Sequence, residues 1–587
     1  MGLTSLKRSK VLTGASAAVL AAGAISSSVA FANPDTNVRV TQDQDGHYVS
    51  AHTMATGVVY SDPVLDRCGI DRRQQNEPTI AIDPRNSDVR TAGSNDYCGI
   101  PTNGDAWAGF YRSANGGATG SWVDSLLPGY AADTSPEGIA SPLHSLAQGG
   151  AHAAGDPVQA WDSNGNLFFM GNNFNRGIAD GKSGSVRDLT GDIWVATYAP
   201  KDPADNTTDG QAYKRTVLLD TNTFGAGQQT DKTGINVDRT NGNIYAAWSA
   251  FHGSACNEIL FSRSTDHGQT FSPPLKLSSS VCNNQGPNIA IGPTGNVYVS
   301  WQANNGGTKS RGTQSANGAA FVKSIDGGRS FSMARIVINY VPFVSNQFSG
   351  SGARQCGDAP LNCPTGQTFP RFDLAQPTLT TDGTDVDMAF QVRLSDGEGQ
   401  IKFSRSVNQG ATWSNPTAID SHPGDGHQFF PWITASGNQI SAVYYDSMGD
   451  PNYSPTSAPC NSPTGAGYPC LNVHYAKSTN HGATWAISTI TDAPINPNFE
   501  QFGGRLVPFF GDYIMVSAVT TATGTTVAAA WTDSRDVVLG TEKPGQDMDN
   551  DDILGATETT EACTTGIADA CFDTGGLDQN IYTQSIS

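Results

Sequence analysis

Carboxylates stand at matching points of a repeated pattern in this sequence, and together they could do chemistry on a substrate. Glu77, Asp156 and Asp512 each open an apolar run, and Tyr513 follows the last of them. Asp446 and Asp533 close apolar runs of a second kind, as in Val443-Tyr-Tyr-Asp446 and Ala530-Trp-Thr-Asp533. Carboxyl groups held close together split their proton affinities, so one stays protonated as an acid while another ionises as a base or nucleophile. Glycoside hydrolysis needs such a pair, ~5 Å apart for retention and ~6.5–9.5 Å apart for inversion. Asp446, Asp512 and Asp533 come from consecutive repeats and form the leading group, with Asp156, Glu77 and the phenol of Tyr513 next. Arg371, Arg393, Arg505 and Arg535 are the candidate substrate-binding groups. A structural role competes for Glu77-Pro78, Asp156-Pro157 and Gln376-Pro377: proline sets the chain entering a strand, and the polar residue caps free N–H groups.

A third cluster is acidic alone. Asp547, Asp549 and Asp551 alternate as calcium-loop ligands do. The stretch lacks the sixth-position glycine and distal glutamate of an EF-hand, so a solvated acidic loop is the alternative. No HExxH, GxSxG, P-loop or dinucleotide-binding pattern occurs in the chain.

Residues this far apart need a repetitive fold to gather them. One turn pattern recurs as Ser264-Thr-Asp266-His-Gly268-Gln-Thr270-Phe271, Ser324-Ile-Asp326-Gly-Gly328-Arg-Ser330-Phe331, Ser406-Val-Asn408-Gln-Gly410-Ala-Thr412-Trp413 and Ser478-Thr-Asn480-His-Gly482-Ala-Thr484-Trp485. A looser copy starts at Ser113, with Trp122 displaced. Asp or Asn accepts bonds from nearby backbone N–H groups, glycine allows a backbone other residues resist, and the aromatic suits a core anchor. Upstream of the turns lies a second repeat, an apolar strand, a glycine turn and another apolar strand, as in Gly234–Asp238 with Gly242–Trp248. Further copies start at Pro78, Pro157, Asn288, Pro377, Pro431 and Tyr513. Seven modules result, and five of them carry the turn.

The turn matches the Asp-box, or BNR repeat, of the sialidase (neuraminidase) superfamily, which the chain resembles on four good copies and one degenerate copy. The resemblance implies an all-β fold, a β-propeller of four-stranded blades, with the boxes as structural hairpins remote from the active site. Seven modules predict seven blades; sialidases have six, which stays the alternative. In such a ring the starts of inner strands and the ends of second strands share one face, and the boxes lie on the other. That face would carry Glu77, Asp156, Asp231, Gln376 and Asp512 from inner strands. Second strands would add Asp96, Arg393, Tyr445, Asp446, Asp533 and Arg535. The superfamily uses three arginines, a Tyr–Glu nucleophile pair and an Asp acid/base. Its first arginine precedes Ile-Pro, where this chain reads Asn76-Glu77-Pro78. The final run Asn580–Ser587 lacks a successor strand, and Asn37-Val-Arg-Val-Thr41 is predicted to close the ring beside it.

Residues 1–32 read as an export signal: Lys7, Arg8 and Lys10 precede an apolar stretch from Val11 to Ile25, and Ala30-Phe31-Ala32 fits a cleavage site. Residues 33–587 would be the propeller domain of a secreted protein. Ten cysteines in an exported chain predict disulfides, with neighbours pairing as Cys68–Cys98, Cys256–Cys282, Cys356–Cys363, Cys460–Cys470 and Cys563–Cys571. With 54 acidic against 34 basic residues the net charge is −20. This charge disfavours nucleic acid and anionic lipid and suits divalent cations or neutral sugars. The expected partner is a glycan or glycoconjugate, with no membrane insertion and a monomeric state. No cofactor is required, and calcium is the one structural ion anticipated. Two functions follow: a secreted sialidase-like glycoside hydrolase acting through a carboxylate pair at the propeller mouth, or a non-catalytic propeller binding glycan or protein at the cell surface.

Overall fold

Each strand–turn–strand module becomes the inner half of an antiparallel sheet. The computed structural model describes residues 36–43, 48–70, 72–99, 105–174, 191–202, 210–222, 228–252, 256–304, 314, 316–343, 376–455, 457–462, 467–500, 509–537, 568–569 and 578–586. The predicted signal, the pairs Cys356–Cys363 and Cys563–Cys571, Arg371, Arg505, Asp547, Asp549 and Asp551 lie outside them. Seven four-stranded sheets are present among the described residues.

The first sheet is Gln75–Ile82, Arg90–Asp96, Trp107–Ser113 and Trp122–Leu126, and the second is Ala153–Trp161, Leu167–Phe174, Gly191–Ala199 and Ala212–Asn222. The third comprises Gln228–Asp238, Asn243–His252, Glu258–Ser264 and Leu275–Lys276. The fourth comprises Asn284–Ile291, Val297–Ala303, Gly318–Ser324 and Arg335–Asn339. Thr378–Asp382, Asp385–Arg393, Gly399–Ser406 and Thr417–Ala418 make the fifth, and Gln428–Ser436, Gln439–Asp446, Asn472–Ser478 and Ala486–Thr489 the sixth. The seventh takes Met515–Thr521, Gly524–Asp533 and Asn580–Ile586, and its outer strand is Val38–Arg39 from the other end of the chain. Successive inner strands pack on one another, and that of the seventh sheet packs on that of the first, so the ring closes as a seven-bladed propeller.

The closure is as the sequence predicts: Val38 pairs with Thr583 and Arg39 with Tyr582. Asn37 Nδ2 adds bonds to the Ile490 carbonyl at 2.8 Å and to Gln584 Oε1 at 2.9 Å. Arg39 is the ionic centre of this seam, bonded to Asp43 and to Asp578.

The recurring turns tie neighbouring blades together. In the first, Asp266 Oδ1 accepts from the Thr270 amide at 2.9 Å, and the Gly268 amide reaches Ser264 Oγ at 2.9 Å. The turns at Ser324, Ser406 and Ser478 repeat this net. Their glycines sit at positive φ against an aromatic of the preceding blade: Gly328 on Phe261, Gly410 on Phe321 and Gly482 on Phe403. The turn aromatics cover the same rings edge-on, Phe331 to Phe261 at 4.8 Å, Trp413 to Phe321 at 5.4 Å and Trp485 to Phe403 at 5.3 Å.

Three predicted disulfides are formed, Cys68–Cys98, Cys256–Cys282 and Cys460–Cys470. By topology all three staple connections on the face opposite the turns. Short helices, among them Ala51–Thr56 and Pro142–Gln148, occupy connections and leave the all-β architecture intact. No helix among the described residues is long and apolar enough to cross a membrane.

Candidate functional site

Five inner strands break register at corresponding places, near their starts: after Asn76, Gly155, Asp231, Gln285 and Phe429. Within each bulge one residue takes a left-handed backbone: Glu77 (φ 56°), Asp156 (51°), Lys232 (48°), Gly286 (68°) and Phe430 (53°). Outside glycine this conformation costs about 1–3 kcal/mol per residue and persists only where the surroundings enforce it. Proline follows in four of the five, at 78, 157, 287 and 431. Having no N–H, proline forfeits no ladder bond inside a bulge.

The bulges gather side chains from separate blades around one ammonium group. Lys232 Nζ lies 2.7 Å from Asp512 Oδ2, 3.4 Å from Asp156 Oδ1, 3.5 Å from Asp231 Oδ1 and 3.7 Å from Glu77 Oε1. Asn95 bridges two of these acids, donating to Glu77 Oε2 at 3.0 Å and accepting the Asp156 amide at 2.8 Å. Asp156 also receives the Lys232 amide at 3.1 Å, and its carbonyl accepts from Thr233 Oγ1 at 2.6 Å.

Four carboxyls around one cation cannot share its charge equally. Burial drives Glu77 and Asp231 well above the usual carboxylate range, with Lys232 pulling down and Asp156 pushing up. Asp156 goes the other way: burial opposes its charge, but Lys232 and the hydrogen bonds from Asp231, Glu77 and the Lys232 amide hold it ionised. Lys232 stays charged because the four acids outweigh its desolvation. The cluster therefore sets carboxyls shifted in opposite directions side by side. The side chain of Asp231 is 21% exposed, whereas those of Glu77, Asp156, Lys232 and Asp512 are all below a tenth. Asp231 is thus the member a ligand would meet first.

Tyr513 is buried beside this cluster and donates to the Pro157 carbonyl at 3.5 Å. Burial, Glu77 and Asp156 push its phenol far up, so it is held as a neutral donor. Further along the same inner strands lies an axial cavity of about 360 Å³, lined by Ile82, Asn236, Asn288, Thr380, Trp432 and Ser517 among others.

The leading group read from sequence is redistributed. Glu77, Asp156 and Asp512 do come together, but Asp446 and Asp533 do not join them. Both end second strands, one strand farther from the axis than the bulges, and each is held by local partners. Asp533 accepts from Trp531 Nε1 at 3.0 Å and from Arg535 at 2.7 and 3.0 Å. Burial raises its carboxyl while Arg535 works against this. Asp446 accepts from His422 Nε2 at 2.8 Å and Gln428 Nε2 at 3.0 Å. Arg535 is committed to Asp533 and Asp492 and stacks over Tyr582 at 4.4 Å. Arg393 is half-buried at the end of a second strand, with burial lowering its pKa.

Lys232, the hub, escaped the sequence reading, although a signal existed. Counting six residues back from Asp83, Asp162, Asp238 and Asp382 gives Glu77, Asp156, Lys232 and Gln376. The lysine thus occupies the position of the acids, and Asp231 is its neighbour.

No protein-family model and no curated protein matches the chain. Similar solved structures include the Hadza microbial sialidase Hz136, at 10% identity and a TM-score of 0.38 over 76% of this chain and 71% of that one. A PL25 polysaccharide lyase, an ulvan lyase, shares 14% identity with a TM-score of 0.37 over 78% and 92%. The Trypanosoma rangeli sialidase shares 12% identity with a TM-score of 0.36, and the match covers 72% of this chain and 57% of that one.

Proposed function

We propose that the protein is a secreted glycan-acting hydrolase whose reacting groups are the carboxyls gathered on Lys232 at the propeller mouth. The observation that carries this reading is the gathering of four carboxyls on the buried Lys232 ammonium, with Asp231 the exposed member; burial raises Asp231 and Glu77, while Lys232 and its hydrogen bonds hold Asp156 down. Hydrolysis of a glycosidic bond needs a protonated and an ionised carboxyl at once. Asp231, the exposed acid, protonates the departing oxygen. Ionised Asp156, fixed by Lys232, faces the positive charge that develops at the sugar carbon or takes a proton from attacking water. Glu77 and Asp512 set the charge of the cluster. The disulfides support an oxidising compartment, and the acidic surface suits a neutral or cationic glycan better than an anionic one.

One observation favours a second reading. Asp231 and Glu77 each share a hydrogen bond with Asp156, closer than the ~5 Å of a retaining pair. On that reading the cluster locks the first, second, third and seventh blades together, and the mouth binds a glycan or protein without cleaving it. A hydrolysis screen over diverse glycosides, run beside a glycan-binding assay, separates the two. The hydrolase reading expects Asp231→Asn and Asp156→Asn to lose roughly 10²–10⁴-fold in rate. Asp266→Asn, in a turn on the far face, should keep it. Glycan binding without turnover, or turnover indifferent to both substitutions, would overturn this assignment.

A further inference from the structure

A second cluster lies at the junction of the fifth and sixth blades. Asp446 ends the second strand of the sixth blade, Tyr444 stands two residues earlier on the same face, and His474 pairs directly with Tyr444 on the third strand. Those side chains meet Asp420 and His422, which follow the outer strand of the fifth blade. Ligating atoms of Asp420, His422 and Asp446 all lie within 4.8 Å of one another. His422 Nε2 is 2.8 Å from Asp446 Oδ2, and His474 Nδ1 is 3.3 Å from that oxygen and 3.7 Å from Asp420 Oδ2.

The second observation concerns His474. Its side chain is 4% exposed, its Nε2 is engaged by Thr489 Oγ1 at 3.2 Å, and its Nδ1 faces both carboxylates without making a hydrogen bond. A buried imidazole nitrogen aimed between two carboxylates has the placement of a metal ligand. Four ligands ~2.0–2.1 Å from a tetrahedral zinc stand about 3.3 Å from each other, and three of the six separations among these groups, 2.8, 3.3 and 3.7 Å, bracket that edge. Outer contacts fix the ligands as metal sites require: Tyr444 donates to Asp420 Oδ2 at 3.1 Å, and the Met448 amide to Asp446 Oδ1 at 2.7 Å.

We infer that Asp420, His422, Asp446 and His474 bind one divalent transition-metal ion of the zinc class between the fifth and sixth blades. Two imidazoles select such an ion over calcium or magnesium, which take oxygen ligands. The site is separate from the residues around Lys232.

The test uses the full chain, stripped with chelator and titrated with zinc chloride by calorimetry, with near-ultraviolet circular dichroism reporting the fold. One equivalent of zinc should bind to the wild type and raise Tm. Cobalt(II) should give the visible absorption of a tetrahedral site. Asp420→Asn, on the more exposed ligand, and His474→Ala should each weaken zinc binding at least 100-fold. Absence of zinc binding by the folded wild type would overturn the inference. So would full-strength binding by both folded variants, or a calcium response without a zinc response. The assay needs no glycan, so it can fail while the proposed hydrolysis stands, and the reverse.

Discussion

Lys232, in the third blade, and Asp512, leading into the seventh, form an ion pair of 2.7 Å, and both are buried. The contact joins two inner strands that are not sequence neighbours and makes the lysine a shared element of ring closure and of the mouth's electrostatics.

Replacing Lys232 with methionine leaves its four carboxyls without a cation. Loss of one partner of a buried ionic group costs about 3–5 kcal/mol. Lys232 is what lowers Glu77, Asp156 and Asp231, so all three carboxyls rise in the folded variant. A carboxyl raised on folding loses stability as pH climbs above its unfolded value near 4. Denaturant unfolding of Lys232→Met should therefore show a smaller deficit at pH 5 than at pH 7.5. Equal deficits would show that the lysine acts through packing alone.

The turn glycines offer a paired comparison. Gly410 has φ of 84°, and a Cβ there would lie 2.3 Å from a Phe321 ring carbon. Gly383 has φ of 63° with nothing within 4 Å. Gly383→Ala should cost about 1 kcal/mol, the backbone penalty alone. Gly410→Ala should cost roughly 3 kcal/mol or more, because the neighbouring blade must also move. Thermal unfolding of the two variants gives the comparison directly.

Asp387 is fully buried, neither of its carboxyl oxygens has a hydrogen bond, and Arg405 Nε stands 3.7 Å away. Burial pushes it up to about 8, against the pull of Arg405 and with Asp382 and Asp385 adding to the rise. The folded protein holds this proton while the unfolded chain has lost it, so stability falls as pH rises from about 4 to about 8. Asp387→Asn removes that dependence. Its Tm should match the wild type near pH 4 and exceed it above pH 8.

The seam at the chain ends is testable by exchange. Arg39 bonds Asp43 and Asp578 beside the strand pairing of Val38–Arg39 with Asn580–Ile586. Arg39→Ala strands buried acids, and amide exchange along Asn580–Ile586 should accelerate ahead of that in the fourth and fifth blades.

Much of this architecture is legible in the sequence because it is periodic. Ser-x-Asp-x-Gly spacing marks the turns, and each strand–turn–strand run marks a blade. The unmatched final strand asks for Val38–Arg39. What docks on the turns was missed, although Phe261, Phe321 and Phe403 each stand three residues before a turn serine. The site was read half correctly for a physical reason. Glu77 and Asp156 follow from their positions, but a bulge adds a residue and turns the next side chain to the other face, so Lys232 rather than Asp231 became the hub. Asp446 and Asp533 were misgrouped because equivalent positions in different blades share a face without sharing a radius. His422 and His474 carry no recognisable spacing, since their meeting depends on packing between blades.

The most direct test of the hydrolase assignment is the pH dependence of kcat/KM for a cleaved glycoside, in the wild type and Asp231→Asn. The account predicts a rate that falls at high pH as the Asp231 proton is lost, and an Asp231→Asn enzyme that is slow with that alkaline limb gone. An Asp231→Asn enzyme with the wild-type rate and the same alkaline limb would contradict it.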